Sequence, residues 1–179
     1  MTRVQFFMPD RDTTVAFTGY RPDKIALSSK NPDIEKEIRA GLRLAVRQFY
    51  NRGFRCFLSG MAEGFDLWAA DEVLSLKDRG ELPGIELAAV IPFREQGRYY
   101  SGGAASLYER ILRSTDECVV LSERYYPECF HRRNDWLVDH SSAVICYYDG
   151  QAGGTRYTVS RARRMGLPVF NLLDPVISL

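Results

Sequence analysis

Apolar positions along this chain fall into two alternating patterns. Short runs rich in Val, Ile, Phe and Leu are separated by longer stretches in which apolar residues recur every three or four positions. The short runs, at 14–18, 55–59, 85–91, 117–122, 143–148 and 167–172, predict six strands. Between them, Ile34, Ile38, Leu42, Ala45, Val46 and Phe49 define one apolar helical face. Asn31 is expected to cap that helix, with Pro32 at its first position and Gly53 stopping it. Further helices are predicted over 65–77, 106–114, 130–141 and from Thr155 to about Met165. The polar, glycine-containing stretch 94–105, with Tyr99 and Tyr100, predicts a mobile loop. Strands alternating with helices imply an α/β fold: three-layer, Rossmann-like and doubly wound around a mainly parallel sheet of about six strands. No linker composition or internal repeat interrupts the pattern, so residues 1–179 are expected to form a single domain, with residues 1–12 as a loosely packed lead-in.

Composition changes this picture little. Hydrophobic residues make up 45% and charged residues 26%, and 24 Lys+Arg against 23 Asp+Glu leave a net charge of +1. That balance provides no bulk electrostatic drive toward nucleic acid or membrane, although a local basic groove is compatible with it. Cys56, Cys118, Cys129 and Cys146 form no C-x-x-C pair, and three of them fall in runs read as buried strands. They are expected to be reduced core residues of a cytoplasmic protein. His131 and His140 lack neighbours at metal-ligand spacing, so no metal is expected. No run of about 18 apolar residues and no charged-then-apolar leader is present, and a membrane-free location is expected. Trp68 and Trp136 lie in helical patterns and are read as core or interface residues.

The chemistry gathers at the carboxyl ends of the predicted strands, where open parallel sheets bind ligands. Thr18-Gly19-Tyr20-Arg21 follows the first strand, Ser59-Gly60-Met61-Ala62-Glu63-Gly64-Phe65-Asp66 the second, and Asp149 with Gly150 to Thr155 the fifth. Glycines let a backbone approach an anion, and a helix N-terminus presents unpaired N–H groups to it. Thr18, Ser59 and Thr155 add hydroxyls, and Arg21 a guanidinium for phosphate or carboxylate. No G-x-G-x-x-G follows the first strand and no G-K-[ST] occurs, which disfavours ordinary dinucleotide-dehydrogenase and ATPase readings.

Residues 59–66 resemble the S-G-x-A-x-G-[IF]-D element of the DNA-processing protein A family, and Gly153-Gly154-Thr155 resembles the G-G-T of the Lonely-guy phosphoribohydrolases. Both belong to the SLOG superfamily. Thr18 to Pro22, Ile91-Pro92-Phe93 with Gln96, Arg133-Asn134 with Asp139, and Tyr148-Asp149-Gly150 resemble its YpsA-type branch, from about Val15 to Pro168. The resemblance implies a Rossmann-like domain that binds nucleotides or their derivatives, and self-association of such subunits. By matching position it assigns contacts to Gly19, Ser59, Gly60, Gly64, Asp66, Gly153, Gly154 and Thr155. The hydrolase motif G-G-x-G-T-x-x-E is shortened here, and Thr158 stands where its glutamate would be.

Three functional readings follow. The first is binding or sensing of a small nucleotide derivative at Thr18, Gly19, Tyr20, Arg21, Ser59, Gly60, Met61, Glu63, Gly64, Asp66, Pro92, Phe93, Asp149, Gly153, Gly154 and Thr155. In it Phe93 or Tyr20 stacks on a base, and Asp66 or Asp149 bonds a ribose hydroxyl. A nucleotide-derived ligand is expected, and the residues point to no particular cofactor beyond it. The second is a nucleosidase-like hydrolase with Glu63 or Asp66 as acid or base, Glu123 and Asp149 being the other carboxylates near strand ends. The third, less favoured, is single-stranded DNA binding through Arg132, Arg133, Arg161, Arg163 and Arg164, with stacking from Tyr99, Tyr100, Tyr125 or Tyr126.

Overall fold

Strands of Val, Phe, Ile, Leu and Cys, apolar on both faces, can be satisfied only between two layers of helices. The computed structural model, which describes residues 7–174, shows that arrangement. Its strands are β1 (Thr14–Gly19), β2 (Cys56–Ser59), β3 (Glu86–Ile91), β4 (Glu117–Val120), β5 (Ala143–Tyr147) and β6 (Val169–Asn171). Its helices are α1 (Pro22–Ser28), α2 (Ile34–Asn51), α3 (Phe65–Asp78), α4 (Gly102–Ser114), α5 (Cys129–Asp139) and α6 (Gly154–Arg164). All six strands are parallel, in the order β4-β3-β2-β1-β5-β6. The α/β, Rossmann-like expectation is met.

Alternation along the strands builds two cores. Val15, Phe17, Phe57 and Leu87 face the layer of α1 to α4, meeting Ile25, Leu42, Val46, Phe65 and Ile111. Ala16, Leu58, Ala88 and Val90 face the opposite way, toward Leu137 of α5, while Val144 and Cys146 meet Val138, Val159 and Ala162. Helix α3 lies between α2 and α4 and is buried on nearly every side. Its Glu72, 5% exposed, is paired with Arg39 and Arg43 of α2 at 3.1 and 2.9 Å.

Several local expectations change. Helix α2 starts at Ile34, and Asn31 Oδ1 accepts from the Asp33 N–H at 3.0 Å, so Asn31 and Pro32 form the turn before the helix. The expected mobile loop at 94–105 instead holds a 3₁₀ turn, Gln96–Tyr99, and the first turn of α4. Gln96 is 2% exposed, and a methyl on Gly97 would lie 2.5 Å from the Tyr108 ring, so this glycine serves packing. Cys118 is exposed because β4 is an edge strand, whereas Cys56, Cys129 and Cys146 are buried. Of the expected lead-in, residues 1–6 lie outside the described residues, and Phe7 packs against the α5-side core.

Candidate functional site

Chain connectivity places the site. From β1 the sheet grows through β2, β3 and β4 on one side, then returns to add β5 on the other. The loops leaving β1 and β5 therefore diverge, and a crevice opens beyond Gly19 and Tyr147, which are paired in register. The crevice has a volume of about 400 Å³. Of the residues proposed from the sequence, Thr18, Gly19, Tyr20, Arg21, Asp66, Gly154 and Thr155 line it.

One wall is the start of α6. The first intrahelical bond runs from Tyr157 N–H to Gly153 O at 3.1 Å, and no side chain caps the helix. The N–H groups of Gly154, Thr155 and Arg156 therefore project without a helical partner, at the positive end of the helix dipole. Gly153, at φ 139°, permits the turn that leaves them open. Lys24 of α1 reaches across to the Ala152 carbonyl at 2.5 Å and lies 4.4 Å from the Tyr20 ring centroid. Arg21 is exposed at the mouth. Thr18 and Thr155, 7% and 8% exposed, also line the crevice.

The opposite wall is charged and buried. Arg133, 5% exposed, donates to the Gly60 carbonyl and, at 2.9 Å, to Asn134 Oδ1. Beside it Asp66 is also 5% exposed, and its Oδ1 is buried with no hydrogen-bond partner. Burial pushes the Asp66 carboxyl up to about 6, against the opposing pull of the Arg133 charge.

The second glycine-rich loop is closed by protein. Ser59 Oγ donates to the Asp66 carbonyl at 2.9 Å and accepts from the Met61 N–H at 3.1 Å. Met61, fully buried, holds a φ of 58°, and its carbonyl accepts from Tyr100 Oη at 3.0 Å. A methyl on Gly60 would approach the Arg133 guanidinium to 2.7 Å, one on Gly64 would meet Pro22 and the Tyr20 carbonyl at 2.8 Å, and one on Gly19 would meet the Phe65 ring at 2.3 Å. Ser59, Gly60, Met61 and Gly64 therefore shape the loop and do not line the crevice. From that segment only Ala62 and Asp66 reach it.

Tyr20 lines the crevice but is not free to stack. It is 2% exposed, and its hydroxyl donates to Asp149 Oδ1 at 2.5 Å. Burial and that bond raise the phenol to about 12. Asp149 accepts from Tyr20, Ser28 and Gln151, and the Tyr20 bond leads in lowering it to about 2. This carboxylate fastens the β5–α6 loop and does not line the crevice. Pro92 is buried outside it. Glu63 and Phe93 line a neighbouring cleft that shares Arg21 and Phe130 with the crevice.

Sequence reasoning missed Lys24 and left Asn134 without a role. Lys24 was signalled only by Pro22-Asp23, a good opening for the short α1. Of the arginines proposed for a nucleic-acid groove, Arg161, Arg163 and Arg164 share the last turn of α6 and Arg132 and Arg133 lie on α5. Arg133 is buried, Arg161 is engaged by Asp135 and Asp139, and Arg163 and Arg164 end α6 about 15 Å from its N-terminus. Thr158, in the place of the hydrolase glutamate, is fully buried and bonds back to the Gly154 carbonyl at 3.0 Å. No helix among the described residues is long and apolar enough to cross a membrane.

Comparison with known proteins agrees with this architecture. The chain is 30% identical over 156 residues to a "UPF0398 protein" of Bacillus thuringiensis (strain Al Hakam), covering 85% of this chain and 83% of the relative. A UPF0398 protein of Bacillus cereus (strain AH187) matches equally. Among solved structures, DNA processing protein A from Streptococcus pneumoniae superposes with a TM-score of 0.57 at 24% identity, over 92% of this chain and 52% of that one. The Helicobacter pylori protein, described for its single-stranded DNA binding mode, gives 0.56 at 19%, over 94% and 68%. At these identities the two structures show a shared fold. The model of the family described as "YspA SLOG family" matches residues 15–167, and the chain therefore belongs to the YpsA SLOG family.

Proposed function

We propose that the β1/β5 crevice binds a phosphate-bearing, nucleotide-like ligand. The observation that carries this reading is the pairing of opposites across one cavity. An uncapped helix N-terminus with Lys24 and Arg21 stands on one side, and the buried Asp66 carboxyl with an unpartnered oxygen on the other. The first wall suits an oxyanion. The second is left wanting a donor, which a sugar hydroxyl supplies. Few small molecules satisfy both walls, and sugar phosphates and nucleotides do.

Calorimetric titration with inorganic phosphate, ribose 5-phosphate and AMP tests this. Saturable binding of ribose 5-phosphate is expected, with phosphate weaker, and Lys24→Ala lowering the affinity about tenfold through loss of one charge-assisted contact. Absence of binding by all three, with no rise in melting temperature, overturns the reading.

Hydrolysis of an N-glycosidic bond has one observation in its favour. A carboxyl raised to about 6 exchanges its proton near neutral pH and suits general acid or base work. Release of free base from AMP, abolished by Asp66→Asn with binding retained, would support that chemistry; intact AMP after prolonged incubation leaves the site a binding site.

A further inference from the structure

The neighbouring cleft has a volume of about 420 Å³ and a different chemistry. Phe93 forms its floor, 3% exposed, with three rings standing edge-on around it: Tyr125 at 5.5 Å and 81°, Tyr99 at 5.9 Å and 80°, Phe130 at 6.0 Å and 76°. Tyr99 and Tyr125 are 75% and 56% exposed, and they are the only aromatic residues among the large exposed hydrophobics of the described chain. Two costly exposed rings on one buried ring form a platform for a planar group.

A second, independent feature lies in the same cleft. Gln96 is 2% exposed and its Oε1 is buried with no hydrogen-bond partner. The orientation of its amide follows from its surroundings. Nε2 faces the Gly60 and Met61 carbonyls, each at 3.5 Å, and Tyr100 Oη at 3.1 Å, while that hydroxyl spends its own proton on Met61 O. Turning the amide over would set an oxygen against two carbonyls. Oε1 is therefore the atom left over, and it can only accept. Glu63, a carboxylate, lines the same cleft and can also only accept.

We infer that this cleft is a base subsite, and that it takes a nucleobase carrying an exocyclic amine. The inference rests on the phosphate-site reading of the adjoining crevice. Arg21 and Phe130 line both spaces, so a single ligand extends from the α6 N-terminus into the cleft. The aromatic rings stack on the base, and Gln96 Oε1 accepts from its amine. A desamino base stacks equally well but leaves Oε1 unpaired.

The test is calorimetric titration of the full chain with ribose 5-phosphate, with AMP against purine riboside 5′-monophosphate, and with GMP against IMP. In at least one pair the amino-bearing nucleotide is expected to bind about tenfold more tightly. Gln96→Leu should abolish that preference. Tyr125→Ala, at an exposed position that does not threaten folding, should weaken nucleotides about tenfold and leave ribose 5-phosphate unchanged. Binding of ribose 5-phosphate with no gain from any base overturns the base subsite and leaves the phosphate site standing. Equal affinity within both pairs, or a preference that survives Gln96→Leu, overturns the role of Gln96. Failure of every probe overturns both readings together.

Discussion

Replacing Asp66 by asparagine removes an ionisation that the fold opposes. Its carboxyl rises from 3.8 to about 6, burial outweighing the attraction of Arg133. The native state therefore binds its proton more tightly than the unfolded chain does. Between pH 4 and 6 the native state holds more protons, so stability falls as pH rises through that window and levels off above it. The rise corresponds to about 3 kcal/mol. Asparagine mimics the protonated side chain, so the variant lacks this loss. Urea unfolding of both proteins from pH 3.5 to 8 measures it, and only their difference matters, because every other titrating group cancels. The variant is expected to gain about 3 kcal/mol relative to wild type on passing from pH 3.5 to 7. A difference that stays flat with pH refutes the reasoning, whatever its size.

Two further outcomes follow from packing and charge. Gly19→Ala forces a methyl to within 2.3–2.6 Å of the buried Phe65 side chain, and should cost about 2–3 kcal/mol in urea unfolding; Gly150→Ala, at φ 100° with open space around it, should cost about 1 kcal/mol from the backbone alone. An equal cost at both positions would show that Gly19 is held by conformation and not by contact. Arg133→Met removes the charge that holds the Asp66 carboxyl down, so the midpoint of the wild-type-against-asparagine difference, measured in that background, should move above pH 6. An unmoved midpoint would refute the electrostatic link between the two side chains.

The fold was largely legible because parallel strands buried on both faces must be written as continuous apolar runs ending in turns. Ala143–Tyr147 is such a run, and so is Glu86–Ile91. Edge position was not legible. Cys118 and Val119 read as core, yet strand order, which no local pattern encodes, puts β4 at the rim. Helix α1 was missed because seven residues with one buried side chain, Ile25, leave no period to detect. The stretch from Gln96 to Gly103 looked mobile because its glycines and polar residues are those of a loop. Only the tertiary contacts of Gln96 with Gly60 and Met61, and of Gly97 with Tyr108, show that it is packed.

The two longer glycine-rich loops look alike in sequence and differ in kind. At Ser59 to Gly64 the space a small residue leaves open is taken by protein: the guanidinium of Arg133 at Gly60, and Pro22 with the Tyr20 carbonyl at Gly64. A buried cation against the Gly60 carbonyl makes this loop a fixed support that holds Asp66 in place. At Gly153 and Gly154 the nearest atoms to an added methyl are Lys24 Nζ at 3.2 Å and Asn134 Nδ2 at 3.7 Å, the ends of side chains that are hydrogen-bond donors. The first loop is closed by groups that complete the protein, and the second is bordered by donors facing a cavity. Glycine content alone cannot separate these cases, because both a close protein neighbour and a close ligand exclude a Cβ. What separates them is the crevice, which Gly154 and Thr155 line and Gly60 and Gly64 do not; the proposed reading accordingly sets the oxyanion at α6 and the hydroxyl-bearing part of the ligand at Asp66.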